Sequence, residues 1–193
     1  MPKTEIFNRV DVLDKAAKIF SNKGFNGTSM QDLVDTTGLN RSSIYNSFGS
    51  KLDLFLECLM RYETNYQNEV TDLLMKSNSS IEIIQTMLVN VVNDSLYDTE
   101  HKGCLIGNCR TEMGNQNKKI DNFLLRNQTG TLALLERIIE TGQSEGSINK
   151  RKKASDYALF IYSNIQGLRS VGIFINNPTE LNALVKTVME GLE

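Results

Sequence analysis

A chain of 193 residues, 40% of them apolar and 23% charged, is long enough to bury a real core and has the composition of a globular protein. Its net charge of −2 argues against binding nucleic acid through bulk charge, so any DNA contact must come from one small surface. No apolar run approaches the ~18 residues of a bilayer span, and Met1-Pro2-Lys3-Thr4-Glu5 leads into an amphipathic stretch, so a cytoplasmic protein with no membrane partner is expected.

The three cysteines, Cys58, Cys104 and Cys109, form no dense framework and suit a reducing compartment. Prolines only at positions 2 and 178 favour long uninterrupted helices. In chain order, Ile6, Val10, Leu13, Ala17 and Phe20 recur at helical spacing, and Gly24 suits the left-handed position that ends such a helix. Ser29 with Asp32 forms a capping box for a short second helix that runs to Thr37. Gly38 breaks it, Asn40 caps a third from Arg41 to Phe48, and Ser50 with Asp53 opens a long fourth that reaches about Met75.

After the connector 77–80, Ser79 and Glu82 form another box, and Ile81, Ile84, Leu88 and Val91 share one face of a fifth helix. A sixth is expected over about Lys102 to Met113 and a seventh over about Asn117 to Gly142. A basic loop from Gly146 to Lys153 follows, then an eighth helix from Tyr157 to Phe174 and a ninth capped by Asn177-Pro178. No strand alternation or repeat competes. The expected fold is all-α, with about nine helices.

The informative stretch is Ser29 to Phe48. Two short helices about Gly38 make a helix-turn-helix, in which Leu33, Leu39, Ile44 and Phe48 supply the apolar contacts. The outward residues of its second helix, Asn40, Arg41, Ser42, Ser43, Tyr45 and Asn46, are rich in hydrogen-bonding groups and hold no carboxylate, as suits phosphates and base edges. Lys51 opposes the dipole at the start of its helix, which a nearby phosphate would explain. Arg41 alone would be an ordinary surface charge, and Gln31 reads equally as a DNA contact or an exposed helix residue.

The run from Thr28 to Leu33, then from Thr37 to Lys51, together with Ala16-Ala17, Phe20 and Gly24-Phe25 upstream, resembles the TetR/AcrR transcriptional repressors. The likeness is dense over roughly the first 60 residues. It implies a homodimer of nine-helix subunits, with a DNA-binding domain at 6–66 (helix-turn-helix about 29–48) and an effector-binding and dimerisation domain at 67–193. The implied partners are a double-stranded DNA operator and a small-molecule effector, with no cofactor and no catalytic role. By position, Thr28, Tyr45 and Lys51 would contact phosphates, while Arg41, Ser42 and Asn46 would lie in or beside the groove; Ser29, Gln31, Asn40 and Ser43 complete the candidate set. Val34-Asp35-Thr36-Thr37 departs from the family, which usually carries more alanine there.

Gly103-Cys104-Leu105 with Asn108 and Glu112, and Gln166-Gly167-Leu168-Arg169, resemble members with a cysteine in the sixth helix, some of which respond to electrophiles or oxidants. At steps of four, Cys104, Asn108 and Glu112 make a polar stripe beside the apolar Leu105, Cys109 and Met113. Cys109 reads as a core residue, and Cys104 as either a functional thiol or a structural one. The expected effector pocket draws on Tyr62, Tyr66, Asn90, Asp94, Cys104, Asn108 and Glu112.

In the eighth helix, Ala154, Ala158, Ile161, Ile165, Leu168, Gly172 and Ile175 form a four-three seam, to which the ninth adds Leu181, Leu184, Val188 and Leu192. This face could bury within one subunit; the resemblance places it in a four-helix dimer interface. The rival classes are a helical enzyme or metal-binding bundle and a helical interaction module that has lost DNA binding. A single histidine, His101, no Glu-x-x-His pair and no phosphate-binding glycine loop weigh against the first. His101 with Cys104 and Cys109 makes an irregular ligand set without a fourth member, so no metal is expected.

Overall fold

A computed structural model describes residues 7–77, 79–98, 100 and 102–193. Ile6, expected on the first apolar face, and His101, the conceivable metal ligand, lie outside the described residues. Among the described residues the chain is helical throughout: α1 Arg9–Gly27, α2 Met30–Thr37, α3 Arg41–Phe48, α4 Lys51–Lys76, α5 Ser80–Tyr97, α6 Leu105–Met113, α7 Lys118–Glu145, α8 Ala154–Val171 and α9 Pro178–Glu190. The all-α expectation holds. No helix among these residues is long and apolar enough to cross a membrane.

Two compact units divide the chain, one of residues 1–66 with 104–121, the other of 67–103 with 122–193. The sequence suggested contiguous domains that meet at residue 66; instead the segment carrying α6 joins the first unit, because α6 packs on α1. The core of this unit is built on Val12, Leu13, Ala16 and Phe20 of α1, Leu33 of α2, Ile44 and Phe48 of α3, and Leu54, Phe55, Cys58 and Leu59 of α4, with Leu105, Cys109 and Met113 from α6. The buried stripe of α1 is thus rotated from the expected one: Val10 is exposed and Val12 and Ala16 take the inner face. Phe20, Phe25 and Phe55 form an aromatic cluster, with Phe55 at 4.7 Å from Phe20 and 5.2 Å from Phe25 between ring centroids.

Gly24 has φ 72° and ψ 174°, which interrupts α1 as expected; one further turn then follows, so the element reaches Gly27. Gly38, at φ 74°, closes α2 in the left-handed conformation that its missing Cβ permits. The Ser29–Asp32 box forms in both directions, with the Asp32 N–H to Ser29 Oγ at 3.1 Å and the Ser29 N–H to Asp32 Oδ2 at 2.8 Å. The box expected from Ser79 and Glu82 does not form: Ser79 makes no side-chain cap bond. Its neighbour Ser80 is buried and donates instead to Glu145 Oε2 at 3.2 Å.

In the second unit α5 packs against α8 and α9. Close approach is set by small residues: a Cβ at Gly172 would lie 2.6 Å from Ser95, and one at Gly142 would lie 2.6 Å from Ile148. The basic loop is tightly built on Asn149, whose Oδ1 accepts from Tyr157 Oη at 2.6 Å and from the Arg151 N–H at 2.9 Å. Replacing Phe55 with alanine should open a cavity at the centre of the aromatic cluster and cost about 3–5 kcal/mol of stability. Urea denaturation of the two proteins checks this; an unchanged midpoint would show that the cluster carries no such weight.

Candidate nucleic-acid interface

Helix α3 has two contrasting sides. Ile44 and Phe48 are buried, while Arg41, Ser42, Tyr45 and Asn46 are exposed at positions one helical turn apart. The helix contains no carboxylate. Among the described residues, no side chain hydrogen-bonds or ion-pairs with these four, so their donors and acceptors face outward uncommitted. Tyr45 is 46% exposed, unlike its neighbour Phe48 at 5%. The sequence reading, which put Phe48 in the core and Tyr45 outside, agrees with this burial.

Several devices fix the helix. Asn40 Oδ1 accepts the Ser43 N–H at 2.8 Å and caps the N-terminus. Arg9, from the start of α1, donates to the Ser47 carbonyl at 3.2 Å, lies 4.3 Å from the Phe48 ring centroid and makes a bidentate pair with Glu57, Nη2 to Oε1 at 2.7 Å and Nε to Oε2 at 3.2 Å. Nothing in the sequence pattern pointed to Arg9, because Ser47, Phe48 and Glu57 lie 38 or more positions away in the chain.

The remaining candidate contacts are partly committed within the protein. Ser29 is occupied by its capping box, and Gln31 donates to Asp35 at 2.8 Å. Ser43 is half-buried. The Asp32 carboxyl is held well below the usual range, first by its hydrogen bond from Lys23 at 2.6 Å and then by Ser29.

Two of the expected phosphate contacts have partners inside the protein. Thr28 is 1% exposed, and its hydroxyl donates to the Gly24 carbonyl at 2.6 Å, an acceptor that the break in α1 leaves available. Its side chain therefore serves the turn and not a phosphate. Lys51 donates to the Thr28 carbonyl at 2.5 Å and its ammonium lies 4.4 Å from the Phe25 ring centroid. Burial lowers its pKa, opposed by the nearby Glu112 and Asp32 charges. Its unfavourable place at the head of α4 is explained from inside the protein, with no phosphate required.

The effector candidates separate. Tyr62 and Cys104 meet in the first unit, with the Tyr62 hydroxyl donating to Cys104 Sγ at 3.7 Å. Tyr66 and Asn108 are half-buried in that unit as well. Cys104 is the N-cap residue of α6 and not a residue within it, since the helix begins three positions later than the expected Lys102. Cys109 is a core thiol, pushed up to about 12 mainly by burial, as Cys58 is pushed up by the same cause.

The Glu112 carboxylate is engaged within the protein, accepting the N–H groups of Phe25 at 2.8 Å and Asn26 at 2.7 Å. Asn90 and Asp94 belong to the second unit and are exposed residues of α5. Even so, the Asp94 carboxyl titrates above the ordinary aspartate value, desolvation of the group outweighing the charge of Arg169.

The expected dimer seam is also corrected. Ala158, Ile161, Ile165, Leu168 and Gly172, with Leu181 and Val188, are buried within the subunit against its own helices. Of the predicted set only Leu184 is exposed. What α8 and α9 leave uncovered is a different strip: Phe160, Gly167, Val171 and Leu184, with Phe174 just beyond α8 at 89% exposure. Positions 160, 167 and 174 follow a seven-residue spacing, the interval of a helix-packing seam.

Comparison with known proteins agrees with this architecture. The family model for bacterial regulatory proteins of the tetR family matches residues 12–58, and that for the tetracyclin repressor-like C-terminal domain matches residues 84–188. YezE of Bacillus subtilis (strain 168), an uncharacterized HTH-type transcriptional regulator, is 34% identical over 113 residues, 58% of this chain and 58% of YezE, so the chain matches less than two thirds of that protein. ComR of Escherichia coli (strain K12), an HTH-type transcriptional repressor, is 27% identical over 168 residues, covering 86% of this chain and 80% of ComR.

The structure of a cysteine mutant of the regulator CifR with 26 bp of operator DNA superposes with a TM-score of 0.86 at 20% identity, over 99% of this chain and 100% of that one. The identity is low enough that this likeness speaks for the fold alone. With models of both its N-terminal and its C-terminal parts matched, the chain belongs to the TetR family of bacterial transcriptional regulators.

Proposed function

We propose that this regulator is a repressor that reads a near-palindromic operator as a homodimer and is released by a small-molecule effector or by modification of Cys104. The observation that carries the reading is the carboxylate-free, uncommitted face of Arg41, Ser42, Tyr45 and Asn46 on a short helix braced from beneath. Arg41 and Asn46 offer the fork-like and amide donors that pair with guanine and adenine edges, and Tyr45 offers a hydroxyl for a phosphate. Thr28 and Lys51 leave the contact set as side chains. Asn40, Ser43, Ser29 and Gln31 act chiefly by shaping the two helices. DNA reading is assigned to residues 6–66, supported by α6, and effector response and pairing to the rest of 67–193.

The exposed strip of Phe160, Gly167, Val171, Phe174 and Leu184 is assigned to a second copy of the chain. A two-fold pair would present the same strip from both subunits and hold two copies of α3 one DNA turn apart, ~34–36 Å. Cys104 is the proposed thiol. The residue is only 7% exposed and its sulfur accepts from the Tyr62 hydroxyl, so any group added to it has to displace Tyr62 or the first turn of α6. A conformer that accommodates such a group, with altered spacing of the reading heads, loses its match to the operator.

With an operator fragment recovered by binding selection from genomic DNA, Arg41→Ala and Tyr45→Ala should each weaken binding about 5- to 150-fold, for ~1–3 kcal/mol per contact. Fluorescence anisotropy at fixed salt measures this; wild-type affinity in both variants would remove α3 from the interface. Phe174→Asp combined with Leu184→Asp should convert a dimer to a monomer in light scattering and reduce operator affinity by about 100-fold or more, since paired half-sites are lost. A dimer of unchanged mass would place pairing elsewhere. Under native conditions a thiol reagent should label Cys104 first, with Cys58 and Cys109 following only at the unfolding rate, as judged by peptide mass mapping. Cys104→Ser should abolish release from operator by an electrophile; unaltered sensitivity would retire the thiol route.

A further inference from the structure

The Glu112 carboxylate belongs neither to the α3 surface nor to the Tyr62–Cys104 contact, yet it makes two short links between α6 and the end of α1. Its two oxygens accept from successive backbone N–H groups, Phe25 at 2.8 Å and Asn26 at 2.7 Å. These donors are available because Gly24, at φ 72° and ψ 174°, interrupts the helical ladder, so the turn after it begins afresh with unsatisfied N–H groups, like a helix N-terminus. A carboxylate is the natural partner for such a pair. The approach requires glycine, since a Cβ on residue 24 would stand 2.7 Å from Glu112 Oε2.

The same turn runs directly into the reading head. Thr28 closes it by donating to the Gly24 carbonyl at 2.6 Å, and the Thr28 carbonyl accepts from Lys51 at 2.5 Å. Ser29, the next residue, is the N-cap of α2. Glu112, the 25–28 turn, the start of α2 and the head of α4 are therefore joined by one chain of hydrogen bonds.

We infer that Glu112 is a positioning residue for operator binding: from a helix outside the helix-turn-helix, its carboxylate holds the Phe25–Thr28 turn that orients α2 and α3. The inference rests on the reading of α3 as the DNA-contacting helix, and it names how that site is regulated. Glu112 stands eight residues after Cys104, ~12 Å along a helix. A group added at Cys104, or a ligand pressed against Tyr62, moves α6 as a rod and draws the carboxylate off the two amides. The reading head then loses its outside support without any change in the residues that touch DNA.

The test compares full-length wild type, Glu112→Ala, Glu112→Gln, Arg41→Ala and Tyr45→Ala. Operator affinity, the thermal midpoint, and hydrogen exchange at the Phe25 and Asn26 amides are measured on each. Glu112→Ala should bind at least tenfold more weakly while folded, with faster exchange at both amides, and Glu112→Gln should fall between it and wild type. The slope of log affinity against log salt should stay at the wild-type value, because Glu112 touches no phosphate. A purely structural role would lower the thermal midpoint and leave the folded protein's affinity intact, which overturns the inference. If Glu112→Ala fails to fold, Glu112→Gln decides: wild-type affinity with altered exchange at the two amides overturns it. Loss of binding in Arg41→Ala with none in the Glu112 variants removes this inference and leaves the function standing, whereas wild-type binding in Arg41→Ala and in Tyr45→Ala alike removes the reading of α3 on which it rests.

Discussion

An eight-residue helix has almost no stability of its own in water, so α3 exists only because Ile44 and Phe48 are buried beneath it. That single constraint divides its surface. The apolar positions are used entirely by the fold, and the intervening Arg41, Ser42, Tyr45 and Asn46 carry no structural duty. A groove-reading helix needs this separation, because a side chain already paired within the protein would have to break that pairing before it could pair with a base. The Arg9 brace and the Asn40 cap tighten the helix from underneath and from its end, away from the exposed face.

The polar residues around this helix are divided just as sharply. Thr28, Lys51, Ser29 and Glu112 look like surface chemistry when read along the chain, and each proves to serve the backbone. For Thr28 and Glu112 the cause is the break at Gly24. It frees one carbonyl, taken by Thr28, and two N–H groups, taken by Glu112. Buried or half-buried backbone groups demand partners, so a cluster of polar side chains gathers wherever a helix is interrupted near a core. A charge beside such a break therefore serves the backbone first.

The second unit follows a similar logic with apolar groups. The eighth-helix seam of Ala158, Ile161, Ile165 and Leu168 is consumed by α5 and α9, with Gly172 admitting Ser95 at close range. The strip that remains outside runs from Phe160 to Phe174 and includes Leu184. Its exposure is the feature that suits a second subunit, since large apolar side chains left in water on adjacent helices are unusual for a chain that acts alone.

The sequence by itself determined the all-helical fold, the order of the helices with most of their ends to within a turn, and which side of α3 faces outward. These properties are local: glycine at a left-handed position, a serine three residues before an aspartate, and apolar spacing of three and four act within a single turn or two of backbone. Helical periodicity could not tell which of two apolar faces on α8 turns inward, because both repeat at the same interval and only packing against α5 and α9 chooses between them. Nor could it show that Glu112 reaches the end of α1 or that Arg9 braces α3. Those pairings join residues 86 or 87 and 38 positions apart, and they exist only once the tertiary structure has brought separate helices within hydrogen-bond distance.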